Sequence, residues 1–328
     1  MRDVAERAGV SLKTVSRVIN AEAGVAPATA ERVGAAIAAL GFQRNDLARS
    51  LRHGLSSSTF GLVIEDVANP FYSTVAQAVE TVARQRQFLL ITASAREDGE
   101  RERELVTALV GRRVDALLIV PAGADHGYVG TIRGRTTFVY IDRPPSGLDA
   151  ADTVLNDDAG GARSAVEHLL AHGHRRIACV ADPTEVYTTR ERLAGYRAAL
   201  ETAGVAVDPE LVRTGSRDAA HAEAVVSELL DLPAERRPTA IFTANNRKTI
   251  GALHALAGRP DGVALVGFDD FELADLLETT VVRHDSQQLG ARAAALAFQR
   301  LDGADRPPRR VVVPTELVAR GSGELPPS

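Results

Sequence analysis

The chain has 328 residues, 45% hydrophobic and 25% charged, with a net charge of −5; these values are ordinary for globular domains and exclude a disordered or fibrous chain. No apolar run approaches the roughly 18–20 residues that a membrane-spanning helix needs. The start, "MRDVAERAGV", lacks the basic-then-apolar pattern of a secretory signal, and one cysteine cannot form a disulfide framework. We therefore expect a cytoplasmic protein of two or three domains that has no contact with a membrane.

The charge is distributed unevenly along the chain. Residues 1–60 contain eight Lys and Arg and five Asp and Glu, a net charge of +3, so the remaining residues carry −8. A basic end on an acidic body is compatible with nucleic-acid contact confined to that end, but an excess of +3 also arises by chance. The sequence motif has to decide between the two.

Two short helices are predicted at the amino terminus. Apolar residues of Asp3–Ala8 recur on one helical face, and Gly9 is predicted to end this helix in the left-handed conformation. Ser11 is a good N-cap for a second helix over Leu12–Asn20. A glycine turn between two short helices is typical of the helix-turn-helix arrangement.

The second helix has two different faces. Val15 belongs to its inward stripe, whereas Leu12, Lys13, Ser16 and Arg17 share the outward face. A face with apolar, hydroxyl and cationic groups fits the major groove of DNA. A plain amphipathic helix pair with a solvated polar face would give the same pattern, so these residues alone leave both interpretations open.

Three segments in this region resemble, in order and spacing, the DNA-binding head of the lactose-repressor (LacI-type) family of bacterial regulators. They are "DVAERAGVSLKTVSRVIN", "VAPATAERVGAAIAALGF" and "NDLARSLRHG". The resemblance implies a helix-turn-helix domain over residues 1–44, followed by a hinge helix and linker over residues 45–57. It implies contacts with base edges for Leu12, Lys13 and Arg17, and with phosphates for Ser11, Thr14, Ser16 and Thr29.

The hinge segment is predicted as a helix of about eight residues with Asn45 as N-cap and Gly54 as its end. Isolated helices this short are marginal in water, so this one needs partners to form. The resemblance implies that two such helices from a homodimer pair over the minor groove. Asn45, Ala48 and Leu51 would then contact DNA, and Leu51 would wedge between base steps. A polar linker ending in "GLSSS" is the alternative.

From Thr59 onward, short apolar runs alternate with helical patterns. Examples of predicted strands are "FGLVIED", "DALLIVPA", "VALVGFDD" and "RRIACVAD", in which Cys179 is expected to be a buried strand residue. Alternation of strand and helix predicts a doubly wound α/β fold with parallel sheets. Two sets of strands, separated near Asn156–Gly161, indicate two similar lobes with a cleft between them.

This body resembles the periplasmic-binding-protein type I fold, which the LacI-type family shares. The fold class is therefore an all-α helix-turn-helix head plus an α/β body of two parallel-sheet lobes. The resemblance implies that the late strands after Val281 cross back between discontinuous lobes. It places residues 58–156 with 286–312 in one lobe, and residues 157–285 with 313–328 in the other. No leucine heptads follow the closing "RGS", so a homodimer is expected rather than a tetramer.

Polar residues follow several predicted strands. Asp142 follows "FVYI", Asn245 follows "IFTA" and Asp269 follows "LVGF", while Arg192 opens a helix. Ligands of open α/β sheets bind beyond the carboxyl ends of the strands, and carboxylates, amides and guanidinium groups hold hydroxyl groups there. The pattern favours a sugar, and these residues match effector positions of the resembled family. Glu65 and Asp66 also follow a strand, but capping a nearby turn explains them equally well.

Other residues leave the ligand class open. The segment "NPFYSTVAQAVE" resembles the family's "NPFF" segment and implies effector contacts for Phe71 and Tyr72. Arg217 stands where an aromatic wall is common in the family, and His284 stands where glutamine is frequent. Arg217, reinforced by Arg190, would suit an anionic effector such as a sugar phosphate or carboxylate, unless Arg217 points to solvent.

A DNA-binding regulator, most simply a repressor controlled by an effector between the two lobes, is the favoured function. A sugar-binding module or an enzyme on the same α/β body is the alternative. The sequence has no G-x-S-x-G, P-loop or H-E-x-x-H motif, so neither catalysis nor a cofactor is expected. His168 and His172 have the i, i+4 spacing of metal ligands, but their run matches the family's "GHRRIA" turn, and no metal site is expected.

Overall fold

The structure, a computed structural model, describes residues 1–19, 22–42, 57–132, 134–148, 150–259 and 262–327. The predicted hinge-helix residues Asn45, Ala48 and Leu51 lie outside these ranges. The chain divides into two compact units, Met1–Ser57 and Ser58–Ser328.

The amino-terminal unit is helical over its described part. Its helices are α1 (Arg2–Ala8), α2 (Leu12–Ile19) and α3 (Pro27–Ala39). Gly9 ends α1 with a φ of 62°, in the left-handed region that glycine adopts without strain. The side chain of Ser11 accepts a hydrogen bond from the backbone N–H of Thr14 at 3.1 Å, which confirms Ser11 as the N-cap of α2.

A small apolar core holds these three helices together. Val4 of α1, Val15 of α2 and Val33 of α3 are fully buried. Val18 and Ile19 pack against this core from α2, so the predicted inward stripe is confirmed. The opposite face of α2 is thereby fixed as its outward face.

The second unit alternates strands with helices throughout. Its strands are β1 (Thr59–Ile64), β2 (Leu89–Ser94), β3 (Ala116–Ile119), β4 (Thr137–Ile141), β5 (Asp152–Asn156), β6 (Ile177–Val180), β7 (Val212–Arg213), β8 (Ala240–Thr243), β9 (Ala264–Phe268), β10 (Thr280–His284), β11 (Arg310–Val313) and β12 (Thr315–Val318). Its helices are α4 (Pro70–Gln85), α5 (Gly99–Gly111), α6 (Gly127–Thr131), α7 (Asp158–Ala171), α8 (Tyr187–Thr202), α9 (Ala219–Leu230), α10 (Asn246–Leu256) and α11 (Ser286–Leu301).

The strands form two sheets. The first has the order β11-β5-β4-β3-β1-β2 and defines lobe 1, and the second has the order β12-β10-β9-β8-β6-β7 and defines lobe 2. The described pairings are parallel except for β10 with β12. Separate apolar clusters cover the two faces of each sheet, as the doubly wound prediction requires. Cys179 is fully buried in β6, which confirms its predicted place.

The chain passes between the lobes three times: after β5, after β10 and between β11 and β12. The strands at these connections lie at one edge of each sheet, so β2 and β7 are the edges farthest from the connections. The predicted lobe limit differs from the sheets by one residue, because Val313 ends β11 in lobe 1. Among the described helices, none is long and apolar enough to cross a membrane.

Candidate functional site

The outward face of α2 carries the side chains predicted to meet DNA. Leu12 is 46% exposed, Lys13 and Arg17 are also exposed, and Ser16 is half-buried. The Nε atom of Arg17 lies 3.9 Å from the carboxylate of Glu22, and both side chains are about half exposed. An exposed pair of this kind contributes about 0–1 kcal/mol, so Arg17 can exchange this partner for a base edge or a phosphate at little cost.

The predicted phosphate contacts have different surroundings. The hydroxyl groups of Ser11 and Thr14 lie 2.9 Å apart at the start of α2, and Thr29 is half-buried in the first turn of α3. Ala26, the N-cap of α3, provides no side-chain hydrogen bond to the helix.

A cavity of about 940 Å³ lies between the two lobes, at the carboxyl ends of their strands. Its size and position are those of a small-molecule site in an α/β protein. Seven of the eight predicted effector residues line it: Phe71, Tyr72, Asp142, Arg192, Arg217, Asn245 and Asp269.

Asp142 and Asp269 hold corresponding positions in the two lobes. They follow β4 and β9, each the third strand from the connected edge of its sheet, and both have a φ of 68°. Aspartate tolerates this left-handed conformation better than most residues. Their side chains are 3% and 9% exposed, so the cavity has one buried carboxyl group on each lobe.

Arg192 is held by protein groups on lobe 2. Its Nε donates to Asp158 at 2.7 Å, its Nη1 donates to the carbonyl oxygen of Ala244, and its Nη2 lies 3.4 Å from Asp269. The guanidinium also stacks 3.7 Å from the ring centre of Phe268. Arg192 therefore lines the cavity as a fixed side chain whose main partner is the protein, whereas the sequence suggested a bidentate donor to the ligand.

Burial and nearby charges shift the pKa values of the acid groups around Arg192. Burial raises the pKa of Asp142, although Arg143 and Arg192 act to lower it. Burial raises the pKa of Asp158 to about 7, against the lowering effect of Arg192. Burial also acts to raise the pKa of Asp269, but Arg192 and His284 outweigh it and hold that pKa below its ordinary value. Asp269 is therefore the firmly ionised acceptor of the three.

Asp142 has one oxygen without a hydrogen-bond partner in the part of the chain that the structure describes. Its Oδ2 accepts from the hydroxyl of Tyr72 at 3.3 Å and lies 3.5 Å from Nε of Arg143. Its Oδ1 is buried and has no hydrogen-bond partner among the described residues. A buried acceptor without a partner costs about 1–3 kcal/mol. A ligand that donates a hydrogen bond to this oxygen would remove that cost.

His284 is the one predicted effector residue that does not line the cavity. Its Nε2 lies 2.9 Å from Asp269 and its Nδ1 lies 3.1 Å from the hydroxyl of Ser286. Its ring packs edge-on against Phe71, with 4.7 Å between ring centres. The prediction of ligand contact is thus corrected: His284 lies behind Asp269 and positions that carboxylate.

The sequence interpretation missed a set of ion pairs at the cavity. Arg247 of lobe 2 reaches Glu65 and Asp66 of lobe 1, at 3.3 and 2.6 Å. Next to this pair, the side-chain amide of Asn246 donates to Asn69 at 3.2 Å. Glu65 and Asp66 are therefore cavity residues in a contact between the lobes, and Asp66 also caps its turn, because its Oδ1 accepts from the backbone N–H of Ala68 at 3.0 Å. Their position after β1 was a signal for this role, but it did not identify Arg247 as their partner.

Two further pairs were missed. Arg143 forms a bidentate pair with Glu97, with both distances 2.6 Å, and Lys248 pairs with Asp182. Asp182 and Arg143 each follow a strand, as Asp142 does, so their positions in the sequence were the same kind of signal. Within the described ranges, no group of three or more His, Cys, Asp or Glu side chains has the arrangement of a metal site.

Comparison with known proteins assigns the chain to a family. Residues 1–45 match the model of bacterial regulatory proteins of the lacI family, and residues 166–323 match a periplasmic binding protein-like domain. The transcriptional regulator CelR of Thermobifida fusca is 36% identical over 335 residues, which cover 98% of this chain and 97% of the relative. The chain belongs to the lacI family of bacterial regulatory proteins. The ribose operon repressor of Escherichia coli K12 is another relative, 32% identical over 98% of this chain and 99% of its own length.

Solved structures of the family agree with this assignment. The lac repressor dimer bound to operator and the anti-inducer ONPF has a TM-score of 0.83, 28% identity and 98% coverage of both chains. The CelR–cellobiose complex has a TM-score of 0.72, 33% identity and the same coverage. These likenesses confirm the predicted family and fold. This lacI-family member is an effector-controlled, DNA-binding transcriptional regulator, and its relatives are regulators and repressors rather than enzymes.

Proposed function

We propose that this regulator is a homodimeric repressor whose operator affinity is controlled by a sugar bound in the cavity between the lobes. The buried, unpartnered Oδ1 of Asp142 supports this most directly, because it needs a donor such as a ligand hydroxyl group. Asp269 offers a further acceptor in the same cavity, and Asn245, whose Oδ1 caps α10, lines it as well. Relatives whose names refer to cellobiose and ribose support the same ligand class.

The arrangement suggests how a sugar changes DNA binding. Asp142 belongs to lobe 1, while Asn245 and Asp269 belong to lobe 2, so one ligand that contacts all three prefers the closed lobes. A ligand shifts a conformational equilibrium only by its difference in affinity for the two states, typically about 1–3 kcal/mol. The proposal includes a cytoplasmic location, because the operator is part of the chromosome.

The ligand class is tested by the unfolding temperature of the purified protein in the presence of neutral mono- and disaccharides. A sugar at 100 times its dissociation constant should add about 2.7 kcal/mol to the free energy of unfolding. The sugar that stabilises the protein should also change its affinity for an operator selected from random DNA. The proposal fails if no neutral or substituted sugar stabilises the protein while another class of small molecule does.

We expect Arg17→Ala to weaken operator binding by about 1–3 kcal/mol and to relax base preference at one operator position. Arg17 is the exposed guanidinium of α2, and a guanidinium holds two parallel donors in a fixed geometry that matches guanine. Fluorescence anisotropy with single-base operator variants measures both effects. In Arg17→Lys the charge stays, so the salt dependence should persist while the base preference is lost. Unchanged base preference in both variants would exclude Arg17 as a base reader.

We expect Leu276→Arg to convert the proposed dimer into a monomer. Leu273, Leu276 and Leu277 are 54%, 76% and 49% exposed on one short segment of lobe 2, and clustered exposed leucines are typical of a subunit interface. Light scattering should give the 34.8 kDa of a single chain for the variant and about twice that mass for the unmodified protein. Leu89→Arg, at a 64% exposed leucine of lobe 1, is the control and should remain dimeric. A dimeric Leu276→Arg variant would place the interface elsewhere.

A further inference from the structure

The charged groups that line the cavity are unevenly paired. Seven carboxylates and seven cationic side chains lie among the described lining residues. Four of the cations form ion pairs with carboxylates of the cavity. Arg96, Arg190 and Arg217 form no ion pair with any described residue. Among the carboxylates of the cavity, only Glu185 also has no ion-pair partner in the described part of the chain. The charge that remains available to a ligand is therefore mainly positive.

Arg190 and Arg217 are exposed side chains of lobe 2, and Arg96 is an exposed side chain of lobe 1. One terminal nitrogen of Arg190 donates to the carbonyl oxygens of Thr184 and Glu185, at 3.2 and 2.8 Å. These bonds anchor the guanidinium and leave its charge uncompensated. Its remaining N–H groups are available to a ligand.

The topology places two of these arginines at one end of the cavity. Arg96 follows β2 and Arg217 follows β7, the two edge strands farthest from the connections between the lobes. Both side chains line the same cavity, and they belong to opposite lobes. Arg190 lies in the first turn of α8, the helix after β6, and β6 is the strand next to β7.

We propose that the effector carries an oxyanion, a phosphate or carboxylate group, which Arg96 holds from lobe 1 and Arg190 and Arg217 hold from lobe 2. The inference rests on the proposed function and narrows its ligand to a sugar phosphate or sugar acid. The hydroxyl groups of this ligand bind near Asp142 and Asp269, and its anion binds at the β2 and β7 edge. Guanidinium groups bind oxyanions through paired N–H donors.

The same geometry links the anion to closure of the lobes. Arg96 and Arg217 carry like charges, so they do not attract each other across the cleft. A bound oxyanion within reach of both would attract both arginines at once. The anionic group thus contributes to the switch as well as to affinity.

Inorganic phosphate is the first probe, since it tests the anion site without knowledge of the sugar. Unfolding temperatures are measured in potassium phosphate and in potassium chloride at equal ionic strength. The excess stabilisation by phosphate should be about 2 °C or more for the unmodified protein. It should be lost in Arg96→Gln and in Arg217→Gln. Arg197→Gln, at an exposed arginine of α8 that does not line the cavity, should keep it.

This comparison has a clear negative outcome. Phosphate stabilises proteins in general by exclusion from their surface, but that effect is equal in all four proteins. The proposal is overturned if Arg96→Gln and Arg217→Gln keep the full excess stabilisation by phosphate, or if Arg197→Gln loses as much of this stabilisation as they do. Far-ultraviolet circular dichroism at room temperature checks that each variant is folded.

Calorimetry with a neutral hexose, its 6-phosphate and its uronic acid then separates the sources of the anion. We expect the better of the two anionic forms to bind at least tenfold tighter than the hexose. Arg217→Gln should remove that advantage, whereas Arg197→Gln should keep it. If neutral sugars bind as tightly as their anionic forms and Arg217→Gln changes neither, the anion site is wrong while the proposed sugar function stands.

Discussion

Arg192→Met should lower the free energy of unfolding at pH 8 by about 3–5 kcal/mol, as expected when one partner of a buried ion pair is removed. Methionine fills most of the volume of the arginine stem but leaves Asp158 and Asp269 without their shared cation. Both carboxyl groups are nearly inaccessible to water, so solvent cannot replace the lost charge. Chemical denaturation of the variant and of the unmodified protein gives the difference directly.

The loss of unfolding free energy in Arg192→Met should be smaller at pH 5.5 than at pH 8. In the folded protein, burial raises the pKa of Asp158 to about 7, while Arg192 acts to lower it, so loss of Arg192 raises this pKa further. The unfolded chain has the ordinary, lower pKa, so the contribution of Asp158 to stability falls as the pH rises through the interval between the two values. At pH 5.5 the carboxyl group of the variant is protonated and needs no cation.

An exposed arginine of the same helix provides the control for this experiment. Arg197→Met should change the free energy of unfolding by no more than about 0.5 kcal/mol at either pH. A deficit below 1 kcal/mol for Arg192→Met, or an equal deficit at both pH values, would show that Arg192 does not neutralise buried carboxylates.

The parts of the fold that the sequence predicted are those with local physical causes. Gly9 and Ser11 delimit the helices α1 and α2 because each acts on the backbone of its own neighbours. Asp142 and Asp269 were found because a parallel strand brings its carboxyl end to a ligand site. In both cases the signal and its consequence lie within a few residues.

The site contacts that were not predicted join residues that are far apart in the sequence. Arg247 pairs with Glu65 and Asp66, about 180 residues earlier, only because the two lobes bring their strand ends together. His284 is the last residue of β10, and its ring packs on Phe71 and lies behind Asp269. No periodic pattern in the sequence indicates either of these contacts.

Asp142→Asn should weaken sugar binding about 10- to 150-fold, the loss expected when a ligand's hydrogen bond to a charged group is removed. Asparagine tolerates the left-handed backbone at this position and keeps the volume of the side chain, so the main change is the loss of the negative charge. Isothermal titration calorimetry measures the affinity. Asp305→Asn, at an exposed residue of the same lobe, should bind the sugar as the unmodified protein does.

Stability should move in the opposite direction in the same variant. Burial raises the pKa of Asp142, so an ionised carboxylate at this poorly solvated position costs the folded protein stability. The neutral amide removes that cost, and the free energy of unfolding at pH 8 should equal or exceed that of the unmodified protein. Arg143 loses little electrostatic stabilisation in this variant, because its bidentate pair with Glu97 remains. Weaker sugar binding with undiminished stability identifies Asp142 as a ligand-binding group, whereas a parallel loss of both would make it a structural one.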